Sequence, residues 1–378
     1  MGARYDIVAL TSNDLVTDRR MHRCLATLTG AGYRCLLLGR ERGHSLPLDR
    51  SLPFAQERHR LSAEAGKRFY YQLNRAHRRR LLELRPRAIL VVDLDTMWAG
   101  AGAAAELATP WVHDAHELFV EQPEVARRPL VRAAWEALAR RYIGGASAAY
   151  SVGDAIASEL THRYAFPFQV VRNLPLAAAE APGGSGADPE EPYTVLYQGA
   201  LNEGRGLEEL IRAAAVLPAV RFWIAGDGPR AGALRTFARA EGAENVRFLG
   251  ELRPDELAER TPRADLGYAL MRRISESYYL SLSNKSLDYI QAGIPSLQMD
   301  WPEYRAIEER FGCYHLVPEV SPGAVVAAIR ACRVKSYARQ LREGCRRAAA
   351  ALHWEAEAPR LLAIWSDVFA ADRLRSAR

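Results

Sequence analysis

The sequence has no C-x-x-C cysteine pair and no apolar run long enough to cross a bilayer. Its five cysteines are scattered, at Cys24, Cys35, Cys313, Cys332 and Cys345. This spacing predicts neither a zinc site nor a disulfide framework. The longest apolar runs are interrupted by Asp or Glu before the roughly 20 residues that a membrane-spanning helix needs. The first residues, MGARYDIVAL, also lack a secretory signal pattern, so we expect a cytoplasmic chain.

Aromatic residues are not interleaved with the arginines, which argues against a surface that stacks on nucleic-acid bases. The charge is uneven, because residues 1–90 carry 18 Lys and Arg against 8 Asp and Glu, whereas the whole chain carries 51 against 45. Basic clusters such as TDRRMHR and NRAHRRR are either solvated helix faces or a surface for anionic lipid. We therefore expect no nucleic-acid partner, and leave open a peripheral contact with the inner face of the plasma membrane.

A length of 378 residues predicts two domains, because a single core rarely grows that large. Apolar strand-like runs such as YDIVALTS, RCLLLGR and RAILVVDL alternate with amphipathic helical patterns, which is typical of doubly wound parallel sheets. Residues 177–192 (AAAEAPGGSGADPEEP) have the composition of a linker. The predicted domains are therefore 1–176 and 193–352, followed by an amphipathic terminal helix over 353–378.

The stretch YQGALNEGRGLEEL places glycines between a strand and a helix. Gly199 ends the strand, and Arg205 and Gly206 precede the helix. Backbone N–H groups of such a loop bind anions, and an arginine fork suits phosphate oxygens. The pattern predicts a diphosphate site, with an ordinary glycine turn as the alternative.

Two further strand ends follow in the second half. The turn IAGDGP contains Gly226 and Gly228, which would let the backbone approach a ligand closely. In VRFLGEL, Phe248 and Leu249 lie at a strand end, where backbone groups could contact a nucleobase edge. The alternative for both is a buried strand followed by a capped turn.

The stretch SLSNKSLDYIQAGIP predicts a helix that begins near Ser283 and Asn284 and ends at Gly293. Lys285 and Asp288 then share one face in its first turns. Lys285 and the helix N-terminus would meet phosphates, and Asp288 would accept hydrogen bonds from ribose hydroxyls. An ion pair between these two side chains on a core helix is the alternative.

The stretch HDAHE, which contains His113 and His116, follows an apolar strand in the first half. Polar contact with a substrate or acid/base chemistry explains this cluster better than zinc, since the cluster falls short of a catalytic zinc ligand set. Asp93 and Asp95 in VVDLDT have D-x-D spacing, but two carboxylates do not form a metal cage. We expect no metal site.

Together these motifs resemble retaining glycosyltransferases of family 4, which have the GT-B fold. The stretch NKSLDYIQAGIPSLQMDWPEYRAI is the most specific, and HDAHELF and VVRNLP are similar to a bacterial subgroup. The resemblance implies two Rossmann-like doubly wound parallel-sheet domains facing a cleft. One domain binds the acceptor and the other the donor, and the terminal helix crosses back to the N-terminal domain.

The resemblance also assigns roles to residues. Asp288 lies where the family usually has the second Glu of its Glu-x7-Glu motif, and Arg205 where a basic side chain reaches the diphosphate. Lys285 lies in the phosphate-facing turn. His116, or as a second choice His113, matches the histidine beside the reacting sugar. Leu280 replaces the first Glu of the motif, and Ala200 replaces a common Arg, which leaves open whether Glu276 or backbone amides contact the sugar.

The expected activity is metal-independent, cofactor-free transfer of a hexose from a nucleoside diphosphate sugar to a hydroxyl of a glycan, a glycolipid precursor or a small natural product, with retention. Arg205, Lys285 and either His116 or His113 are the expected catalytic groups. The alternatives are a nucleotide-sugar 2-epimerase-like isomerase, which shares the two-domain architecture, and a non-catalytic nucleotide-binding protein.

Overall fold

The structure, a computed structural model, describes residues 4–177 and 192–376. The chain divides into two compact units. Unit 1 runs to Asn173 and is completed by the residues from Glu357 onward, and unit 2 spans Leu174–Ala356. Residues 178–191 of the predicted linker lie outside the described residues, so the predicted domain boundaries stay predictions.

Unit 1 is built on a parallel sheet. Its strands are β1 (Ile7–Leu10), β2 (Cys35–Glu41), β3 (Ala55–Arg60), β4 (Ala88–Val92), β5 (Trp111–Ala115), β6 (Ala148–Ser151) and β7 (Phe168–Val170). They pair in the order β3-β2-β1-β4-β5-β6-β7, and every pairing is parallel. The chain winds first to one side of β1 and then to the other, which is the doubly wound arrangement predicted from the sequence.

Helices connect these strands: α1 (Arg19–Gly30), α2 (Gly66–Leu84), α3 (Met97–Leu107), α4 (Pro123–Ala126), α5 (Pro129–Tyr142) and α6 (Asp154–Tyr164), with 3₁₀ turns at Phe119–Glu121 and Ile143–Gly145. The start of α1 is fixed by Asp18, whose carboxylate accepts the Met21 N–H at 3.1 Å. Shortly after the helix ends, Gly32 has a φ of +94°, a conformation that favours glycine.

Unit 2 has a second parallel sheet. Its strands are β8 (Thr194–Gln198), β9 (Arg221–Ala225), β10 (Val246–Gly250), β11 (Leu266–Tyr268), β12 (Ser296–Met299) and β13 (Tyr314–Val317). They pair in parallel in the order β10-β9-β8-β11-β12-β13. Its helices are α7 (Leu207–Val216), α8 (Ala231–Ala240), α9 (Pro254–Arg260), α10 (Glu276–Leu280), α11 (Asn284–Gln291), α12 (Pro302–Phe311), α13 (Pro322–Cys332) and α14 (Lys335–Ala349), with a 3₁₀ turn at Thr261–Arg263.

The terminal helix α15 (Trp354–Ser376) joins unit 1 from Glu357 onward. Its Phe369 ring stacks on Tyr33 at 5.0 Å, and Trp365 is fully buried. The predicted return of this helix to the N-terminal domain is therefore confirmed. Neither α15 nor any other helix in the described part of the chain has the length and apolar character needed to cross a membrane.

The parallel topology of each sheet determines which loops lie next to one another. Strands β1, β4 and β8 are buried along their whole length, as expected of parallel strands covered by helices on both faces. Parallel strands all end at the same edge of their sheet, so the loops after them meet there. In unit 1 this edge holds the loops after β4 and β5, and in unit 2 it holds the loops after β8, β9 and β11.

Strand β3 is one of the elements that the sequence pattern did not predict, together with β12 and β13. Its sequence AQERHR has no apolar alternation, and its residues are half-buried or exposed. It pairs only with β2, at the edge of the sheet. A polar edge strand hides no apolar face, so hydrophobic periodicity gives no signal for it.

Candidate functional site

The turns after β8 and β9 are packed backbone against backbone. Gly226 has a φ of +141°, and an added Cβ there would overlap the carbonyl oxygen of Gly199. Beside these turns lies a pocket of about 470 Å³ whose lining residues are Gly199, Ala200, Ala225, Gly226, Asp227, Gly228, Glu251, Leu252 and Leu257. The predicted glycines Gly199, Gly226 and Gly228 thus meet around one cavity in unit 2.

Phe248 and Leu249 were predicted to contact a nucleobase through their backbone groups, and this stays a prediction. Phe248 lies under the Arg235 guanidinium, 4.9 Å from the ring centroid, and Leu249 packs against a small apolar cluster. Glu251 and Leu252, just beyond the strand, line the pocket. Leu249 is two residues from Glu251, so the predicted backbone contact is adjacent in sequence to the residues that line this pocket.

Arg205 projects from the loop that leads into α7. The next residue, Gly206, has a φ of +62°, and its carbonyl accepts the Tyr268 hydroxyl at 2.6 Å. Arg205 is half-buried. Its Nη1 lies 2.8 Å from the Met271 Sδ, its guanidinium lies 4.9 Å from the Tyr278 ring centroid, and its buried Nε has no hydrogen-bond partner. Within residues 4–177 and 192–376, Arg205 forms no ion pair.

Lys285 is the second residue of α11 and is also half-buried. Its Nζ lies 4.4 Å from the Tyr197 ring centroid and donates to the Tyr197 hydroxyl at 3.4 Å. Burial holds the pKa of Lys285 well below its ordinary value, and the nearby charge of Arg205 lowers it further, while Asp288 acts in the opposite direction. No ion pair involving Lys285 occurs among the described residues, so no carboxylate is ion-paired with either of these two neighbouring basic side chains.

The N-terminus of α11 adds polar groups beside Lys285. Ser283 is the N-cap residue, but its side chain forms no capping bond, and its buried Oγ has no partner. Its backbone N–H donates to the Tyr304 hydroxyl at 3.1 Å. Asn284, the first helical residue, is exposed. A helix N-terminus with an unused hydroxyl favours an anion at this position.

Asp288 lies one turn further along α11 and is half-buried. Its Oδ2 accepts a hydrogen bond from the Gln198 side chain at 3.2 Å. Gly293 follows the helix with a φ of +71°, as predicted for its end. Glu276, one alternative sugar contact, is bonded by Arg273 at 2.8 Å on an exposed surface.

A second polar cluster lies in unit 1, after β5. The Arg20 guanidinium donates to both carboxylate oxygens of the fully buried Asp114, at 2.8 and 3.1 Å, and to the Val171 carbonyl at 2.9 Å. His116 Nε2 lies 3.2 Å from the Asp114 Oδ2. Asp93 accepts the His116 backbone N–H at 2.9 Å, and its Oδ2 lies 4.0 Å from the His116 Nδ1. His116 is therefore held between two carboxylates.

The pKa values in this cluster follow from that geometry. Burial alone would lower the pKa of His116, but the Asp114 and Asp93 carboxylates outweigh it and raise the pKa to about 9. Burial would raise the pKa of Asp114, yet Arg20 and His116 hold it well below its usual range. Burial raises the pKa of Glu117 to about 7, opposed by His116. At neutral pH His116 is an imidazolium ion.

His113 lies beside this cluster and lines a small cavity together with Asp93 and Glu117. It lies within β5, is 2% exposed, and its Nδ1 is 3.2 Å from the Val91 carbonyl oxygen. Burial lowers its pKa to about 4, so the ring is neutral. Burial and the backbone bond keep His116 as the first choice, and a role for His113 stays a prediction. No group of three or more metal-ligating side chains occurs in the part of the chain that is described.

The comparison with known families is consistent with the unit 2 geometry. A family model described as "Glycosyl transferases group 1" matches residues 192–333. This segment is therefore similar to the group 1 glycosyltransferases. It contains both cations, Arg205 and Lys285, together with Asp288 and the glycine turns. A search of curated proteins found no match.

Solved structures show that the whole chain has the GT-B fold. Sucrose-phosphate synthase from Thermosynechococcus elongatus is 19% identical with a TM-score of 0.79, covering 97% of this chain and 100% of that one. HepE from Anabaena, solved with UDP and glucose, is 16% identical with a TM-score of 0.73, covering 98% and 100%. WaaG, a glycosyltransferase involved in lipopolysaccharide biosynthesis, is 16% identical with a TM-score of 0.70, covering 94% and 98%.

Proposed function

We propose that this chain is a retaining hexosyltransferase that moves a sugar from a nucleoside diphosphate sugar to a hydroxyl acceptor. The observation that carries the proposal is the pair of half-buried cations, Arg205 and Lys285. Charging both groups together out of water is unfavourable, which is why the pKa of Lys285 is lowered. A diphosphate between them would remove that cost, so the pair favours an anionic ligand.

The other groups of unit 2 fit the rest of a sugar nucleotide. The Ser283 hydroxyl and the N-terminus of α11 would donate to phosphate oxygens, as helix N-termini do. Asp288 would accept bonds from ribose hydroxyls, and the pocket lined by Gly226 and Glu251 has room for a base. The structures of HepE with UDP and with UDP-glucose support this class of donor.

The demanding step is departure of the nucleoside diphosphate from the sugar. Negative charge develops on the leaving oxygen, and preorganised cations and N–H groups stabilise it. Arg205, Lys285 and the α11 N-terminus supply that positive potential, so the proposed reaction requires neither a divalent ion nor a cofactor. We assign no carboxylate as a covalent nucleophile, and we expect retention from the resemblance of the motifs to family 4.

In unit 1 we assign His116 to orienting a hydroxyl of the sugar or the acceptor. Its pKa is raised to about 9, which favours the protonated ring at neutral pH and a role as hydrogen-bond donor. The basic residues of the first 90 positions suit an acceptor with an anionic group, including one presented at a membrane surface.

A screen of nucleotide sugars followed by product analysis tests the proposal. A bound donor raises the free energy of unfolding by about 2.7 kcal/mol when its concentration is about 100 times its Kd. We expect one UDP, GDP, ADP or dTDP sugar to raise the melting temperature, and slow release of free sugar with retained configuration. Arg205→Ala should abolish the melting shift. The matched control Arg212→Ala should retain it, because Arg212 is exposed and pairs with Glu241.

Two results would overturn the proposal. A donor converted to its epimer, without release or transfer, would identify an isomerase, and binding without any turnover in the presence of acceptors would identify a binding protein. A melting shift unaffected by both Arg205→Ala and Lys285→Ala would overturn the assignment of the pocket itself.

A further inference from the structure

A buried glutamine connects the candidate ribose-binding carboxylate to the core of unit 2. Gln198, the last residue of β8, is 3% exposed. Its Nε2 donates to the Asp288 Oδ2 at 3.2 Å, and its Oε1 accepts from the Thr261 hydroxyl at 2.9 Å. Its backbone N–H donates to the Tyr289 hydroxyl at 3.2 Å. Both ends of the amide are therefore used.

The direction of this chain of hydrogen bonds follows from Asp288. An ionised carboxylate only accepts hydrogen bonds, so the amide must turn its NH₂ group toward Asp288 and its oxygen toward Thr261. The Thr261 hydroxyl has a single hydrogen, which it shares between the Gln198 Oε1 and the Leu257 carbonyl at 2.7 Å. Thr261 therefore contacts the oxygen end of the Gln198 amide, whose orientation is set by Asp288.

Placing an amide at this position has a cost. The preceding residues Val195, Leu196 and Tyr197 are fully buried, and desolvating an amide without hydrogen-bond partners is unfavourable. An aliphatic side chain would avoid that cost. The amide's two side-chain bonds offset it, and one of them fixes a carboxylate on the helix that carries Lys285.

We propose that Gln198 is a positioning residue that orients the Asp288 carboxylate toward the ribose hydroxyls of the bound nucleoside diphosphate. This inference rests on the proposed function. A carboxylate has about four lone-pair sites, so the bond from Gln198 fixes its orientation and leaves acceptor capacity for a hydroxyl. Thr261 acts one step further away, through its hydrogen bond to the Gln198 amide oxygen.

A purely structural role would give a different result. If Gln198 only joined β8, the 3₁₀ turn and α11, its loss would loosen the start of α11 as well, and the affinity for any phosphate ligand would fall. A positioning role changes only the part of the affinity that depends on ribose hydroxyls. The ratio of affinities for a ribonucleotide and its deoxy form separates these roles, with inorganic pyrophosphate as the ligand that lacks ribose.

The experiment is isothermal titration calorimetry on the full chain. UDP, GDP, ADP and CDP are tested first, and the tightest of them is compared with its 2′-deoxy and 3′-deoxy forms and with inorganic pyrophosphate. The variant is Gln198→Met, which keeps the length of the side chain and removes both hydrogen bonds. The matched control is Gln298→Met, because Gln298 is a fully buried strand glutamine of the same sheet whose amide donates to Ser296.

We expect the wild type to prefer the ribonucleotide over one deoxy form by roughly 10-fold, the size of one hydrogen bond to a charged group. Gln198→Met should reduce this preference to about 2-fold and leave the pyrophosphate affinity within about 2-fold of wild type. Gln298→Met should change neither quantity. If Gln198→Met does not fold, Thr261→Val is measured in its place. We expect it to lose part of the preference for the ribonucleotide over its deoxy form.

Any other result of this experiment would contradict either the positioning role of Gln198 or the proposed function. An unchanged ribose preference in Gln198→Met and Thr261→Val overturns the positioning role, as does an equal loss of ribonucleotide and pyrophosphate affinity. If the wild type binds the ribonucleotide and its deoxy forms with equal affinity, the inference about Gln198 is wrong. The proposed diphosphate site is not contradicted by that result. A wild type that binds no nucleoside diphosphate overturns the proposed function itself.

Discussion

The two units differ in the partners that surround their buried basic side chains. In unit 1, Arg20 is almost fully buried and is satisfied by both oxygens of Asp114 and by the Val171 carbonyl. In unit 2, Arg205 and Lys285 contact a thioether and two phenol rings, and neither forms an ion pair among the described residues. The first arrangement is complete within the protein, whereas we propose that an anion completes the second.

This difference predicts which substitutions reduce the stability of the fold and which reduce ligand binding and turnover. Removing one partner of a buried ion pair leaves the other charge uncompensated, which is strongly destabilising. Removing one of two neighbouring cations relieves repulsion and costs the folded protein little. We therefore expect the substitutions in unit 1 to act mainly on folding, and those in unit 2 to act mainly on binding and turnover.

The largest effect is expected for Arg20→Met. It leaves the Asp114 carboxylate buried without its main partner, and we expect the free energy of unfolding to fall by about 3–5 kcal/mol. Urea unfolding followed by circular dichroism measures this loss. Combining Arg20→Met with Asp114→Leu should recover part of it, because no charge then remains unpaired. A loss below about 1 kcal/mol, within the range of an exposed pair, would contradict the account.

The second largest effect is expected for Arg205→Ala, and it concerns turnover rather than stability. Removing one donor to a developing negative charge lowers turnover by roughly 10²–10³-fold, and we expect that loss in kcat/KM with the transferred donor. The free energy of unfolding should stay within about 0.5 kcal/mol of wild type. Steady-state kinetics and urea unfolding on one preparation check both statements. A stability loss as large as that of Arg20→Met would remove the contrast between the units.

His116 makes the stability of unit 1 depend on pH. Its pKa in the folded protein is raised to about 9, above the ordinary value of about 6.5. Its stabilising contribution is therefore fully present below about pH 6.5 and is lost as the pH rises toward 9. Urea midpoints between pH 6 and 9.5 should fall in the wild type and fall less in His116→Gln. Equal slopes in both proteins would show that the imidazolium is not held by Asp114 and Asp93.

Lys285 should make ligand binding depend on pH. Burial and Arg205 lower its pKa in the free protein, and a bound diphosphate favours the charged form and raises the pKa. Binding of pyrophosphate should then take up protons, and affinity should weaken as the pH rises through the lowered pKa. Calorimetry in buffers of different ionisation enthalpy measures the uptake. Lys285→Arg should abolish it, because arginine stays charged, and uptake that persists in this variant would point to another group.

The smallest effect is expected for Glu276→Gln. Arg273 bonds both oxygens of this exposed carboxylate, at 2.8 and 2.9 Å. Such surface pairs contribute about 0–1 kcal/mol, so we expect kcat/KM to change by less than about 3-fold. Steady-state kinetics with the identified donor is the measurement. A loss approaching that of Arg205→Ala would mean that Glu276 contacts the sugar.

Local patterns predicted much of unit 2. The positions of Gly199, Gly226 and Gly293 follow from strand and helix ends, where backbone conformation limits the residue type. The shared helical face of Lys285 and Asp288 follows from helical spacing. These features depend on residues close together in the sequence, and the structure brings them to the ends of parallel strands as expected.

Contacts between distant residues were not predictable in the same way. Arg20 and Asp114 are separated by 94 residues, and Gln198 and Asp288 by 90, so no periodicity or spacing links them. The burial of His113 was missed for a related reason. The sequence pattern predicts that a histidine at a strand end is a site residue. Its exposure, however, depends on how far the strand extends and on which elements cover it.

The central claim is that a diphosphate completes the cation pair of unit 2. The most direct test is calorimetric titration of inorganic pyrophosphate into the wild type, into Arg205→Ala with Lys285→Ala, and into Arg212→Ala. We predict that the wild type and Arg212→Ala bind with similar affinity and that the double variant binds at least about 100-fold more weakly, since each charge-assisted contact contributes about 1.5–3 kcal/mol. Equal affinity in all three proteins would contradict the claim.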